Sequence, residues 1–274
     1  MRRLIIRPGA IGDYIVSFPA LESLRAAYTE VWVPGCVVPL VRFADRVRSI
    51  ASTGLDLAGL EDVEPPAGLL DALAWFDSII CWYGTGRAEF RRAVAHLPFR
   101  FFPTLPPWGA DRHAVDFYLE QAYSAGGAMV DAVPRIPRPP ERRDFAVIHP
   151  FSGSPSKNWP LANYRALAAR LDGRLPVGWC AGPEDVLDGA VRIEDLYELA
   201  CWLGSARVYV GNDSGITHLA AAAGVPTVAI FGPTDPAVWA PRGPAVRVVA
   251  TARPGESVAQ VSIEAVWSAI ESVV

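Results

Sequence analysis

A short run with two glycines, GNDSG, separates an apolar strand-like segment from an alanine-rich helical segment. Gly211 and Gly215 permit a tight turn and a close approach of the backbone, and either Asp213 or Ser214 suits the N-cap of the following helix. The free N–H groups and positive dipole end of such a helix favour an anion such as a diphosphate. His218 follows about one turn later, on the side that can reach such a ligand. An ordinary capped helix start is the alternative.

Three other segments carry related patterns. RPGAIGD at residues 7–13 follows a short apolar strand, HPFSGSPSKNWP at residues 149–160 follows another, and FGPTDP stands at residues 231–236. Together with GNDSGITHLA at residues 211–220, they resemble the motifs of glycosyltransferase family 9, the lipopolysaccharide heptosyltransferase family. In that family (R/K)xGAxGD, HPGx(G/S)xxKxWP, GNDSGxxHLA and FGxTDP occur in the same order.

The resemblance covers most of the chain and implies a fold and an activity. The implied fold is an α/β glycosyltransferase B fold, in which two Rossmann-like domains with parallel sheets face a central cleft. The implied activity is an inverting, metal-independent glycosyl transfer, with heptose from ADP-heptose as the expected sugar and donor. The expected acceptor is a glycan such as the lipopolysaccharide core.

Asp13 is the predicted catalytic base. It begins a helix at the carboxyl end of the first strand, where α/β sheets place ligands, and it matches the family's catalytic aspartate. A base must take the proton of the acceptor hydroxyl. Gly9 and Gly12, in the same turn, are predicted to lie on the acceptor side. A carboxylate here also suits a helix N-cap, which is the alternative.

Lys157 is the predicted stabiliser of the departing diphosphate. It matches the family's phosphate-binding lysine and supplies the positive charge that such a leaving group needs. Ser152, Gly153 and Ser154, just before it, can offer hydroxyl and N–H groups to phosphate oxygens. A lone lysine is otherwise usually a solvated surface charge. No DxD metal motif occurs nearby, so we expect no metal ion and no cofactor besides the donor substrate.

The GNDSG turn is predicted to line the diphosphate and the sugar. Ser214 and Gly215 belong to the start of the helix. Asp213 is expected to cap the helix or to bind a sugar hydroxyl, because its charge repels phosphate. His218 can donate a hydrogen bond to a phosphate oxygen; a histidine satisfied within the protein is the alternative.

Two further donor-side predictions concern strand ends. Glu184 follows a strand, where an acidic residue can bind ribose hydroxyls, although the adjacent Asp185 could substitute and a solvated loop acid is equally consistent. Thr234 and Asp235 follow another strand and are expected to contact nucleotide or sugar, with a purely structural loop as the alternative.

One segment departs from the family pattern. After the strand Phe76–Ile80 the chain reads CWYGTGR, where the family usually shows an acidic residue, a polar residue and glycine. Arg87 is predicted to lie on the acceptor side. Trp82 and Tyr83 either stack on a sugar face or belong to the core. The identity of the acceptor therefore stays open.

Strand-like and helix-like runs alternate along the chain, which predicts parallel sheets. Among these runs, residues 13–27 and 161–171 are predicted helices and residues 246–249 a predicted strand. Residues 134–143 contain four prolines and read as an extended linker. The linker is predicted to separate an N-terminal acceptor-side domain (residues 1–133) from a nucleotide-sugar-binding domain (residues 144–262). Residues 263–274 are predicted to form a C-terminal helix that packs back on the N-terminal domain.

Composition narrows the class of protein. The 274 residues are 51% hydrophobic and 20% charged, with a net charge of −4, which is typical of a globular protein without a nucleic-acid partner. Four cysteines without a CxxC pair predict reduced, mostly buried thiols. The absence of a signal peptide and of any apolar run near ~20 residues predicts a cytoplasmic protein. A lipid-linked acceptor would add a peripheral contact with the inner membrane. The oligomeric state stays open.

Two other functions share this pattern. A nucleotide-sugar epimerase or hydrolase would use the same two-domain architecture. A catalytically silent nucleotide-sugar-binding protein would need no base, so the presence of both Asp13 and Lys157 argues against it. A nicotinamide dehydrogenase is disfavoured, because the first turn lacks the GxGxxG spacing.

Overall fold

The computed structural model of the protein describes residues 1–60, 63–107 and 109–274. These residues form two compact units. The first comprises Met1–Ala10, Ser17–Ala110 and Ala114–Asp131, and the second comprises Ile11–Val16, Asp111–His113 and Ala132–Val274. The second unit therefore includes the first turns of an N-terminal helix. The domain boundaries drawn from the proline-rich segment stay a prediction.

Within its described residues, the first unit is built on a five-stranded parallel sheet of order β3-β2-β1-β4-β5. The strands are β1 (Arg2–Ile6), β2 (Tyr28–Val33), β3 (Arg46–Ser49), β4 (Ser78–Cys81) and β5 (Phe99–Phe101). The central strand β1 buries Leu4, Ile5 and Ile6 completely. A parallel strand covered on both faces requires such a continuous apolar run, which is why the sequence pattern predicted this strand well.

The helices of the N-terminal part begin with α1 (Ile11–Ser23), followed by α2 (Leu69–Ala74), α3 (Ala88–Ala93) and α4 (Ala114–Ser124). We expected α1 to run from residue 13 to residue 27. It begins earlier, so that Asp13 is its third residue and not its N-cap. It also ends earlier, because Thr29 Oγ1 accepts the N–H of Ala26 at 2.9 Å and draws the chain out of the helix.

The part of the second unit that the structure describes contains another five-stranded parallel sheet, of order β10-β9-β8-β6-β7. Its strands are β6 (Ala146–His149), β7 (Val177–Trp179), β8 (Val208–Asn212), β9 (Thr227–Phe231) and β10 (Val246–Ala250). Its helices are α5 (Leu161–Leu171), α6 (Leu196–Ser205), α7 (Gly215–Ala222), α8 (Pro236–Trp239) and α9 (Ile263–Glu271).

The C-terminal helix α9 packs within the second unit. Its buried Val266 and Ile270 share one apolar cluster with Leu167 and Leu171 of α5. Within this unit its apolar stripe lies against α5 and the strands β9 and β10. The expectation that this helix packs back on the N-terminal domain stays a prediction.

The proline-rich segment at residues 134–143 is tied to neighbouring helices. The N–H of Ile136 donates to Ala222 O at 2.9 Å, and Arg138 Nε donates to Ala223 O at 2.6 Å, both at the end of α7. Ile136 is itself buried. The segment is therefore packed and hydrogen-bonded against the second unit. Across the described ranges, no helix combines the length and the apolar content needed to cross a membrane.

All four cysteines are unpaired. Burial raises the pKa of the Cys81 and Cys180 thiols to about 12, so both remain protonated at neutral pH. Cys81 and Cys180 fit the expectation of mostly buried thiols, and the exposed Cys36 is an exception to it.

Candidate active site

The GNDSG turn joins β8 to α7, and Ser214 is the N-cap. Its Oγ accepts the N–H of Thr217 at 3.3 Å, and Thr217 Oγ1 in turn donates to the carbonyl of Asn212. Of the two candidate caps, Ser214 therefore takes the position. Asp213 is left to point elsewhere, so the expectation that it caps the helix is wrong.

Asp213 pairs with Lys157. Lys157 Nζ donates to Asp213 Oδ2 at 2.6 Å, and the Asp213 side chain is only 8% exposed against 32% for Lys157. A carboxylate this buried needs a counterion, because an unpaired buried charge is costly. Lys157 is also the only lysine in the sequence. The structure thus brings two predicted site residues from separate motifs into direct contact.

The loop before Lys157 is organised by its own serines. Ser152 Oγ lies 2.7 Å from Ser154 O and 2.8 Å from Asn158 Oδ1, and Ser154 Oγ lies 2.9 Å from Ser156 Oγ. Gly153 is exposed, and a Cβ added there would meet no atom within 4 Å. The hydroxyls therefore shape the loop, while Gly153 leaves its backbone open to a ligand.

The start of α1 packs directly on the start of α7 within the second unit. A Cβ built on Gly215 would lie 2.9 Å from Ile11 Cβ and 3.0 Å from the backbone nitrogen of Gly12. One built on Gly12 would lie 3.5 Å from His218 Cδ2. The absence of side chains at both glycines is what allows this approach. Asp13 follows Gly12, in the first turn of α1, so the alternative of a helix N-cap does not describe it.

His218 lies in the first turns of α7 and is 6% exposed. Burial lowers its pKa to about 4; the charges of His113 and Lys157 act in the same direction, and Asp213 and Asp13 oppose them. The imidazole is therefore neutral at physiological pH. A neutral imidazole still carries one N–H donor, as its predicted role toward a phosphate oxygen requires.

The buried His218 makes stability depend on pH. An unfolded histidine titrates near pH 6.5 and the folded one near 4, so between these values the unfolded state binds a proton that the folded state excludes. The stabilising contribution is complete above pH 6.5 and falls as the pH decreases toward 4. The expected loss in unfolding free energy is about 3 kcal/mol, at ~1.4 kcal/mol per pKa unit.

Denaturant titrations at pH 7.5 and pH 4.5 measure this loss. His218→Asn should be less sensitive to pH than the wild type, whereas His96→Asn, at an exposed position, should behave like the wild type. Burial also lowers the pKa of His149, so some pH dependence should persist in His218→Asn. An identical pH dependence in all three proteins would contradict the prediction.

The other donor-side residues lie at strand ends of the second unit. Glu184 is exposed, whereas Asp185 Oδ2 accepts the N–H of Gly182 at 2.7 Å and closes the loop. Thr234 is half-buried, and Asp235 caps α8 by accepting the N–H of Ala237 at 2.9 Å. Glu184 and Thr234 are therefore the members of each pair that are better placed for a ligand. Their roles stay predictions.

The residues predicted for the acceptor side belong partly to the first unit. Gly9 has φ 119°, a backbone conformation that favours glycine. Arg87 donates to Tyr83 Oη at 3.2 Å and to Asp56 O at 3.1 Å, so it shapes its own loop. Trp82 is fully buried and donates its Nε1–H to Gln121 Oε1 at 2.6 Å. Trp82 is thus a core residue, and the stacking interpretation is wrong for it.

Sequence reasoning passed over Asn212, the last residue of β8. It is completely buried, and its amide binds the loop that follows β6. The available signal was an amide side chain at the end of an apolar strand, where a buried polar group must find partners.

A surface pocket of about 350 Å³ lies elsewhere on the second unit. It is lined by Arg174, Trp267 and Glu271 of the α5 and α9 region and by Asp144 and Arg207, which precede β6 and β8. These residues lie toward the amino ends of the strands. The candidate site occupies the carboxyl ends, so the pocket is separate from it.

Known proteins share both the sequence and the architecture. The family model for glycosyltransferase family 9 (heptosyltransferase) matches residues 106–267. Lipopolysaccharide heptosyltransferase 1 of Pseudomonas aeruginosa is 39% identical, over 86% of this chain and 80% of that protein. Among solved structures, E. coli heptosyltransferase WaaC with ADP has a TM-score of 0.76 at 20% identity, covering 100% of both chains. E. coli ADP-heptose lps heptosyltransferase II has a TM-score of 0.77 at 18% identity, covering 100% of this chain and 98% of its own.

The two parallel-sheet units, shared with these structures, define a protein of the glycosyltransferase B fold. The chain belongs to glycosyltransferase family 9 and is a glycosyltransferase. The predicted fold, family and enzyme class are thereby confirmed.

Proposed function

We propose that this enzyme transfers heptose from ADP-heptose to a lipopolysaccharide-core acceptor, with inversion at the anomeric carbon and without a divalent ion. The names of the relatives support the sugar, the donor and the acceptor class. One structural observation carries the proposal: the Lys157–Asp213 pair and His218 gather at the start of α7, against which the helix bearing Asp13 packs.

The donor side of the proposed site supplies positive potential without a metal. Lys157 and the free N–H groups at the start of α7 face the diphosphate. Neutral His218 donates its N–H to a phosphate oxygen. Asp213 repels phosphate, so its natural partner is a sugar hydroxyl that donates to it. Glu184 binds the ribose hydroxyls.

The proposed chemistry is a single displacement. Asp13 takes the proton of the acceptor hydroxyl, whose oxygen attacks the anomeric carbon from the face opposite the diphosphate. The bond between that carbon and the β-phosphate oxygen breaks, and ADP leaves with the electron pair. Lys157 and the start of α7 stabilise the negative charge that develops on this oxygen.

The acceptor and location are proposed together. A lipopolysaccharide-core acceptor is lipid-linked, so the enzyme would act in the cytoplasm with a peripheral contact at the inner membrane surface. Net charge and composition oppose a nucleic-acid partner.

Calorimetry and a transfer assay test the proposal, both with EDTA present. ADP and ADP-heptose should bind, UDP and GDP should not, and ADP release should require a lipopolysaccharide-core acceptor. ADP release without acceptor would indicate a hydrolase, and release of an altered nucleotide sugar would indicate an epimerase. Binding without any turnover would indicate a silent binding protein, and no binding of any nucleotide would reject the donor assignment.

A further inference from the structure

We propose that Asn212 is a positioning residue, which holds the loop carrying Lys157 where this lysine can bind the diphosphate. The inference rests on the proposed function for its ligand, because it assigns Lys157 to a phosphate. Asn212 is completely buried at the end of β8, immediately before Asp213. Because its side chain is completely buried, it would act through its hydrogen bonds to the neighbouring loop.

The amide of Asn212 binds both ends of that loop. Its Nδ2 donates to Pro150 O at 2.9 Å, directly after β6. Its Oδ1 accepts the backbone N–H of Trp159 at 2.9 Å, two residues after Lys157. A single side chain therefore closes the segment 150–159 on the strand that carries Asp213.

A third bond ties the same amide to α5. Tyr164 Oη donates to Asn212 Oδ1 at 2.9 Å. Burial raises the pKa of Tyr164 well above its usual value, so the hydroxyl remains a donor at any ordinary pH. Trp159 is held independently, because its Nε1 donates to Val261 O at 2.9 Å. The end of the loop is thus fixed by two side chains, whereas its middle, with Lys157, is held by bonds within the loop and by the ion pair.

The backbone of Asn212 extends the arrangement to α7. Its carbonyl accepts the hydroxyl of Thr217, whose N–H is capped by Ser214. One residue therefore contacts both the loop bearing Lys157 and the helix start that is proposed to face the diphosphate. Asn212 thereby joins the two segments that carry Lys157 and Asp213, whose side-chain atoms lie 2.6 Å apart.

The chemistry of the position calls for an amide. An aspartate would keep the acceptor for Trp159 and Tyr164 but would lose the donor to Pro150. It would also add a second carboxylate beside Asp213 and repel the diphosphate. An alanine would leave buried groups of Pro150, Trp159 and Tyr164 without their partner.

A labelling experiment tests the positioning without any donor. Because Lys157 is the only lysine, reductive methylation modifies this amine and the N-terminal amine alone, and mass spectrometry gives their ratio. The ion pair should slow modification of Lys157. In Asn212→Ala the ratio of Lys157 to N-terminal labelling should rise about 10-fold, the factor that loss of roughly one hydrogen bond produces. An unchanged ratio would overturn the proposal.

A double-mutant cycle tests the functional consequence. Asn212→Ala should weaken ADP binding about 10-fold when Lys157 is present and hardly at all in the Lys157→Met background. Equal losses in both backgrounds would show a general structural effect and would overturn the proposal. If wild-type protein does not bind ADP, the donor assignment fails, and the labelling ratio still decides whether Asn212 positions Lys157.

Two further variants distinguish an effect on the position of Lys157 from a general loss of folding. Tyr164→Phe removes one of the three bonds without changing the shape of the core, and it should shift labelling and ADP binding in the same direction by a smaller factor. Gln121→Ala removes an amide acceptor in the first unit, and it should lower thermal stability with no change in the labelling ratio. A shift in Gln121→Ala as large as in Asn212→Ala would overturn the proposal.

Discussion

Asp13→Asn is expected to lower kcat by roughly 10²- to 10⁴-fold, the usual contribution of a general base, while leaving donor affinity nearly unchanged. Asparagine has the same shape and fits the same position in the first turn of α1, but it cannot take the proton of the acceptor hydroxyl. The packing of Gly12 on Gly215 does not involve this side chain, so the arrangement around it should persist.

Steady-state transfer kinetics and calorimetry on the same preparation check this prediction. Asp71→Asn, at an exposed position of α2, is the matched control and should transfer at the wild-type rate. The variant should remain folded, because an acidic side chain near a helix N-terminus adds only about 0.3–1 kcal/mol of stability. A thermal melt checks this. Wild-type-like turnover in Asp13→Asn would exclude Asp13 as the base.

Lys157→Met is expected to raise the Kd for ADP and ADP-heptose by roughly 10- to 100-fold. A hydrogen bond from a charged group contributes about 1.5–3 kcal/mol, and about 1.4 kcal/mol corresponds to a factor of ten. The value of kcat should fall as well, because Lys157 is proposed to stabilise charge that develops on the leaving group. Methionine keeps the length of the side chain and removes only the charge and its donors.

This variant also leaves the carboxylate of Asp213, 8% exposed, without its counterion. A lower melting temperature is therefore expected, and the double variant Lys157→Met/Asp213→Asn should regain part of the lost melting temperature. Arg165→Met, which removes an exposed positive charge from α5, controls for net charge and should bind ADP like the wild type. Unchanged ADP affinity in a folded Lys157→Met protein would show that Lys157 does not contact the diphosphate.

Local patterns determined much of the fold. The helix predicted at residues 161–171 is α5 (Leu161–Leu171), and the strand predicted at residues 246–249 is the core of β10 (Val246–Ala250). Apolar periodicity and turn residues act over a few positions, so they can be recognised along the chain. The short helices α2, α3 and α8, of six, six and four residues, were not predicted, since they complete too few turns to show a period.

Glycines, a helix cap and a lone lysine could likewise be recognised in the motifs from residue type and spacing, but the roles assigned to them stay predictions. The family and the fold followed from four such motifs, and the comparisons confirmed both. Asp13→Asn and Lys157→Met test whether these two residues perform the assigned steps.

Only the tertiary structure decided how these residues are paired. The sequence allowed Asp213 or Ser214 as the helix cap. In the structure Ser214 caps α7, while Asp213 pairs with Lys157, 56 residues away along the chain. The tertiary structure also buries Trp82 in the core and brings the side chain of Asn212 within hydrogen-bonding distance of a loop far away along the chain. The physical reason is common to all three. A buried polar group must find a partner, and that partner is chosen by folding in three dimensions, at distances along the chain that no local pattern encodes.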